Sequence, residues 1–124
     1  MVEWHSLCKG LRDLKVSGDT LTVRFASGRT QALRVEQCAD YYALVGIAAR
    51  ASAMRTDENP ERRAWISNRT LDLLGFRVDE RGRFVGEAWL PKPGLTSEEF
   101  ILVARHLAAE CDRMEYVLTG EDRE

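Results

Sequence analysis

The chain has 124 residues, of which 44% are hydrophobic and 31% charged, and its formal net charge is −2. That is the size and make-up of one soluble globular domain, large enough for a real core and too small for two. Charges of both signs are interspersed, which excludes a strong nucleic-acid footprint. The lack of an apolar run of about 18 residues, or of a signal-peptide core, predicts no membrane span and a cytoplasmic location.

Cys8, Cys38 and Cys111 are odd in number and show no CxxC spacing. In a reducing compartment they are expected as free thiols, with Cys8 and Cys111 on apolar stripes. No disulfide and no cofactor is expected.

From the N-terminus, Trp4, Leu7, Cys8, Leu11 and Leu14 recur at helical spacing, which predicts an amphipathic helix over Glu3 to Leu14. Gly10 inside it costs about 1 kcal/mol against alanine. After the break at Ser17-Gly18-Asp19, Leu21, Val23 and Phe25 alternate with polar residues as in a half-buried strand. Ser27-Gly28 turns the chain, and Gln31, Leu33 and Val35 alternate on the way back, which makes a hairpin.

Tyr41 to Ala51 reads two ways. As a helix it carries a stripe of Tyr41, Leu44, Val45, Ala48 and Ala51; as a strand, Ala43, Val45, Ile47 and Ala49 line one face and Tyr42, Leu44 and Ala48 the other. Periodicity alone does not choose. Asn59-Pro60 then starts a short helix, with Ala64, Trp65, Asn68 and Leu71 on one face. A second hairpin follows: Phe76 and Val78, a turn at Glu80-Arg81-Gly82, then Phe84, Gly86, Ala88 and Leu90 alternating with Val85, Glu87 and Trp89.

The most legible element is the last. Thr96 and Glu99 form a capping box behind Pro91, Pro93 and Gly94, and Leu95 with Phe100 makes a hydrophobic staple. Phe100, Val103, Ala104, Leu107, Cys111, Met114 and Leu118 make one stripe, and Gly120 is the stop. Phe100, Val103, Leu107, Cys111 and Met114 are expected to be buried against a sheet. Residues 121–124 read as a frayed tail. The whole is a single α+β domain over residues 1–124, an antiparallel sheet with helices on one face.

The stretches WISN, GFRVDERGRFVGEAWLP, GLTSEEF and AAECDRMEYVLTGED resemble the YbjN-type and type III secretion chaperone-like (Tir chaperone-like) domains. Asp112, Glu115, Leu118, Thr119, Gly120 and Asp122 carry the most recognisable part, and the resemblance spans about Leu21 to Asp122. It implies the order α-β-β-β-α-β-β-α with a five-stranded sheet, which would make Tyr41 to Ala51 the third strand. It also implies a small non-catalytic protein, usually dimeric, that holds a partner chain in extended form. A protein or peptide client and a homodimer are therefore the expected partners.

Chemistry has little to stand on. The only histidines are His5 and His106, and there is no phosphate loop, nucleophile elbow or HExxH, so no enzyme is expected. The alternative function is a small-ligand- or metal-binding regulatory domain using the pairs His5/Cys8 and His106/Cys111, though neither spacing is a standard zinc signature. Trp4 and Trp65 fall on helical stripes and are expected in the core. If Leu21, Val23, Phe25, Leu33, Val35, Phe76, Val78, Phe84, Ala88 and Leu90 face the helices, the opposite face carries Thr22, Arg24, Arg34, Arg77 and Glu87 together with Ala32, Leu44, Val85 and Trp89. A mostly polar face with a few large apolar groups suits adhesion. Trp89, Val85, Leu44 and Glu87 are the candidate partner-binding or dimer surface.

Overall fold

The computed structural model describes residues 4–120, so the tail expected over residues 121–124 lies outside the described residues. In chain order it contains α1 (Trp4–Leu7), β1 (Leu14–Ser17), β2 (Thr20–Arg24), β3 (Thr30–Gln37) and β4 (Tyr41–Ala49). A one-turn 3₁₀ segment (Ala51–Ala53), α2 (Pro60–Asn68), β5 (Gly75–Val78), β6 (Phe84–Pro91) and α3 (Ser97–Thr119) follow. The class is α+β as expected, but the sheet has six strands rather than five, in the order β1-β2-β3-β4-β6-β5. Every neighbouring pair is antiparallel.

The additional strand comes from the segment read as the first helix. Helix α1 stops after Leu7, and Gly10 takes φ +82°, a left-handed conformation that ends helical geometry. Leu14 to Ser17 then pairs with β2 across the two-residue turn Gly18-Asp19, with Gly18 at φ +61°. Trp4, Cys8 and Leu14 are all buried, so the apolar stripe marks core residues correctly although it is split between two elements.

Tyr41 to Ala49 is strand throughout, pairing with β3 on one side and β6 on the other. Its register with β6 shifts between Ile47 and Ala49, a bulge that bends the strand end toward the Ala51–Ala53 turn.

Helix α3 covers one face of the sheet. The capping box is present: the Glu99 backbone N–H donates to Thr96 Oγ1 (3.2 Å), and the Thr96 N–H donates to Glu99 Oε1 (3.1 Å). Gly120 closes the helix in the left-handed region at φ +75°. Phe100, Leu107, Cys111 and Leu118 are wholly buried, and Val103 and Met114 nearly so, as the stripe predicts. The middle of the helix packs directly on Gly46 and Gly86, which sit opposite each other in register. A Cβ on Gly46 would stand 2.9 Å from Cys111 Sγ, and one on Gly86 would stand 3.0 Å from both Cys111 Sγ and Leu107 Cδ1. The two glycines form a flat bed for the middle of the helix.

Helix α2 is capped by Asn59, whose side chain accepts from the Arg62 N–H, with Pro60 in the first turn. Its buried side is Ala64 and Ser67 rather than the face holding Trp65. The hydroxyl of Ser67 reaches Met114 Sδ on α3 at 3.8 Å, while the helix as a whole packs chiefly beside β5. Asn68 fixes the rotation. Its carboxamide accepts from the Phe76 N–H (2.7 Å) and donates to the Phe76 carbonyl (2.8 Å), satisfying backbone groups that β5 turns away from β6. Trp65 is thereby left 64% exposed, with the Arg69 guanidinium 5.2 Å from its ring centre, which corrects its placement in the core.

Arg105 on α3 grips Asp13, just before β1, with two bonds of 2.8 and 2.9 Å, and this holds the Asp13 carboxyl below the usual carboxylate range. A depressed carboxylate contributes stability above its unfolded-state value near pH 3.9 and loses it as pH falls through the folded value. Both side chains are a third exposed or more, so the contribution is under about 1 kcal/mol. Urea unfolding of Asp13→Asn is expected to show this deficit at pH 7 and a smaller one at pH 3. A deficit that is equal at both values would mean the carboxylate is not the stabilising group.

Candidate partner-binding face

With α3 on one side, side chains of alternate parity form an uncovered outer face. On β4 this face holds Tyr41, Ala43, Val45 and Ile47, and on β6 it holds Val85, Glu87 and Trp89. A concavity of about 940 Å³ runs along this face and round the end of β4 to Glu115 and Thr119 of α3. Trp89 is 60% exposed and stacks on Tyr41, with ring centres 4.9 Å apart and planes 18° from parallel. Ile47 is 43% exposed at the bulged end of β4.

Charged residues flank this apolar belt. Arg34 and Glu36 pair on the β3 side, and Arg77 and Glu87 pair at 3.2 Å on the β6–β5 side. Arg34, Val45 and Glu87 share one row across the sheet; Glu36, Ala43 and Trp89 share the next.

Three of the four residues expected on this surface are found on it. Trp89 stands out from it, and Glu87 lies at its margin. Val85 has Ile47 and Arg77 as register partners and lines the concavity, but it is only 2% exposed, so it is the floor of the belt. Leu44 is a correction. It is completely buried, opposite Val35 and Ala88 on the helix-covered face. Both faces of β4 are apolar, so alternation could not give the strand's phase, and Ala43, Val45 and Ile47 hold the outer positions instead. Tyr41, the partner of Trp89 in the stack, was not singled out from sequence. Its two-residue offset from Ala43, the register partner of Trp89, becomes visible only once the register is known.

The His and Cys pairs do not converge. His5 stacks on Trp4 and places Nε2 2.8 Å from the Gly18 carbonyl, beside the β1–β2 turn. Cys111 sits on the glycine bed in the centre of the core. Burial pushes the Cys8 thiol up to about 11 and the Cys111 thiol up to about 12, which keeps both protonated and poor as ligands or nucleophiles. Among the described residues no group of three or more His, Cys, Asp or Glu is placed to hold a metal ion. No helix among them is long and apolar enough to cross a membrane.

No family model and no curated protein matches the chain. Solved structures do. A chain of the heterodimeric ExoU–SpcU complex from the type III secretion system of Pseudomonas aeruginosa is similar at TM-score 0.62 and 16% identity, over 95% of this chain and 97% of that one. A chain of the ExsC–ExsE complex is similar at 0.60 and 18%, over 89% and 84%. The structure of the Yersinia pestis type III secretion chaperone SycH with a stable fragment of YscM2 is similar at 0.56 and 12%, over 88% and 97%. At these identities the likeness concerns architecture, and it runs nearly the length of each chain. The chain has a type III secretion chaperone-like fold.

Proposed function

We propose that the chain is a non-catalytic, cytoplasmic chaperone-like module that binds a partner protein through the outer face of its sheet, around Trp89, Val85 and Glu87. The observation that carries this reading is the uncovered belt itself: a large aromatic held proud of a concave sheet, on a fold whose solved relatives are each found in a complex with another protein. Binding energy comes from desolvating large apolar groups, while flanking charges set rate and selectivity. Trp89, Tyr41 and Ile47 supply the first, and Arg34, Glu36, Arg77 and Glu87 the second. The buried Cys8 and Cys111, acting as core apolar residues, suit a reducing compartment.

Trp89→Ala removes the largest exposed group without touching the core, so circular dichroism and melting are expected to stay within about 0.5 kcal/mol of the parent. Association is expected to weaken by about 2 kcal/mol or more, roughly thirtyfold, as for a central aromatic anchor. Size-exclusion chromatography coupled to light scattering, run alone and on affinity-captured complexes, reads this out. Unchanged association would remove the outer face from consideration.

A further inference from the structure

Trp65 and Trp89 are exposed to similar extents, but their rings are served differently. Trp65 carries a cation of its own chain, the Arg69 guanidinium 5.2 Å from the ring centre. Among the described residues no such cation lies over Trp89. One face of the Trp89 ring is taken by Tyr41, and the other has no stacking partner among them. The charges nearest to it are acidic. Glu87 is two residues earlier on the same face of β6, about 7 Å along the strand. Glu36 shares the row of Trp89, on the far side of Ala43. β5 gives Trp89 no register partner, because its pairing with β6 starts at Gly75, opposite Glu87.

Both carboxylates have capacity for another donor. Arg77 Nε bonds Glu87 Oε1 at 3.2 Å, and Arg34 Nη2 bonds Glu36 Oε2. Glu87 Oε2 and Glu36 Oε1 have no hydrogen bond among the described residues, and 28% of the Glu87 side chain is accessible.

We propose that Trp89 and Glu87 form the seat for an arginine of the partner chain, its guanidinium flat on the open ring face and its edge on the Glu87 carboxylate. This rests on the reading of the outer face as a partner-binding surface and names the side chain that the surface selects. An aromatic face attracts a cation through its quadrupole, and tryptophan does so most strongly. A stacked guanidinium keeps its in-plane N–H groups free to donate to a carboxylate beside the ring. An ammonium has no plane to lay on it, so arginine is favoured over lysine. Arg34 and Arg77 do not fill the place. Arg34 lies beside Val45 and Arg77 beside Val85, each on another row and each paired with a carboxylate. An acidic anchor would be repelled by Glu87, and an apolar one would desolvate that carboxylate without giving it a donor.

A random peptide library reads this selectivity without a known partner. Immobilised nonapeptides probed with the full chain are expected to give binders enriched severalfold in arginine beside an apolar residue. With Glu87→Gln the enrichment is expected to be lost. Replacing the arginine of a selected peptide by citrulline keeps the shape and removes the charge. Fluorescence anisotropy of the labelled peptide is expected to show about tenfold weaker binding to the parent and a loss of about threefold or less with Glu87→Gln. Circular dichroism on each variant confirms that the fold is retained.

Peptides that are lost with Trp89→Ala but indifferent to citrulline and to Glu87→Gln overturn this inference alone, and the partner-binding reading stands. A screen that returns no peptide dependent on Trp89 removes both.

Discussion

Leu107→Ala is expected to lower the unfolding free energy by about 2–5 kcal/mol, toward the upper end for a leucine in this setting. The cost of such a cavity depends on whether the surroundings can collapse into it. Leu107 is wholly buried, and its Cδ1 lies over Gly86, where there is no side chain to move. Beneath it is sheet backbone, fixed by the β4–β6 and β5–β6 ladders. The neighbours on the helix, Val103, Ala104 and Cys111, are themselves packed. Guanidinium unfolding measures the change, and a loss below about 0.5 kcal/mol would mean the helix stands away from the sheet.

The second large effect concerns the glycine bed itself. Gly46→Ala puts a methyl 2.8 Å from Leu33 Cδ2 and 2.9 Å from Cys111 Sγ, closer than carbon tolerates. Overpacking of this kind costs about 1–3 kcal/mol. The leucine end can rotate, whereas Sγ is held by the helix, so Cys111→Ala in the same chain is expected to relieve part of the strain. A double-mutant cycle should return a favourable coupling of about 0.5 kcal/mol or more. Zero coupling would show that the sulfur is not the limiting contact. Gly86→Ala is expected to be worse than Gly46→Ala, because its methyl meets the Phe76 ring at 2.8 Å. That ring stacks on Phe84, and its backbone is tied to Asn68, so it has little room to yield.

The elements that could be read from sequence are those whose signals are local. Helix α3 announces itself through Thr96, Glu99 and Gly120, because caps satisfy backbone groups within a few residues. The second hairpin is readable because Phe84 to Leu90 alternates between apolar and mixed positions. The first helix was overextended because Trp4, Leu7, Cys8, Leu11 and Leu14 have helical spacing whether or not one helix joins them. The conformation of Gly10 decided otherwise. Trp65 was misplaced since α2 is short, and its rotation is set by contacts to Phe76 and Met114, distant in sequence. On the candidate face Trp89 and Glu87 were legible from the pleat of β6. The phase of β4 was not, because a central strand with apolar residues on both sides does not reveal which side is which. That single ambiguity moved Leu44 to the wrong face and hid Tyr41.

The Asn68 carboxamide on Phe76 has a consequence for how many copies can gather. An outer strand with open donors and acceptors is a template on which further strands can be laid indefinitely, each addition exposing a new template. At β5 the two outward-facing groups of Phe76 are already taken by an amide that offers no continuing ladder, and α2 packs beside it. At Phe76 the Asn68 amide and the adjacent α2 leave no open template for a further strand. Fibre-like assembly through that edge is thereby disfavoured.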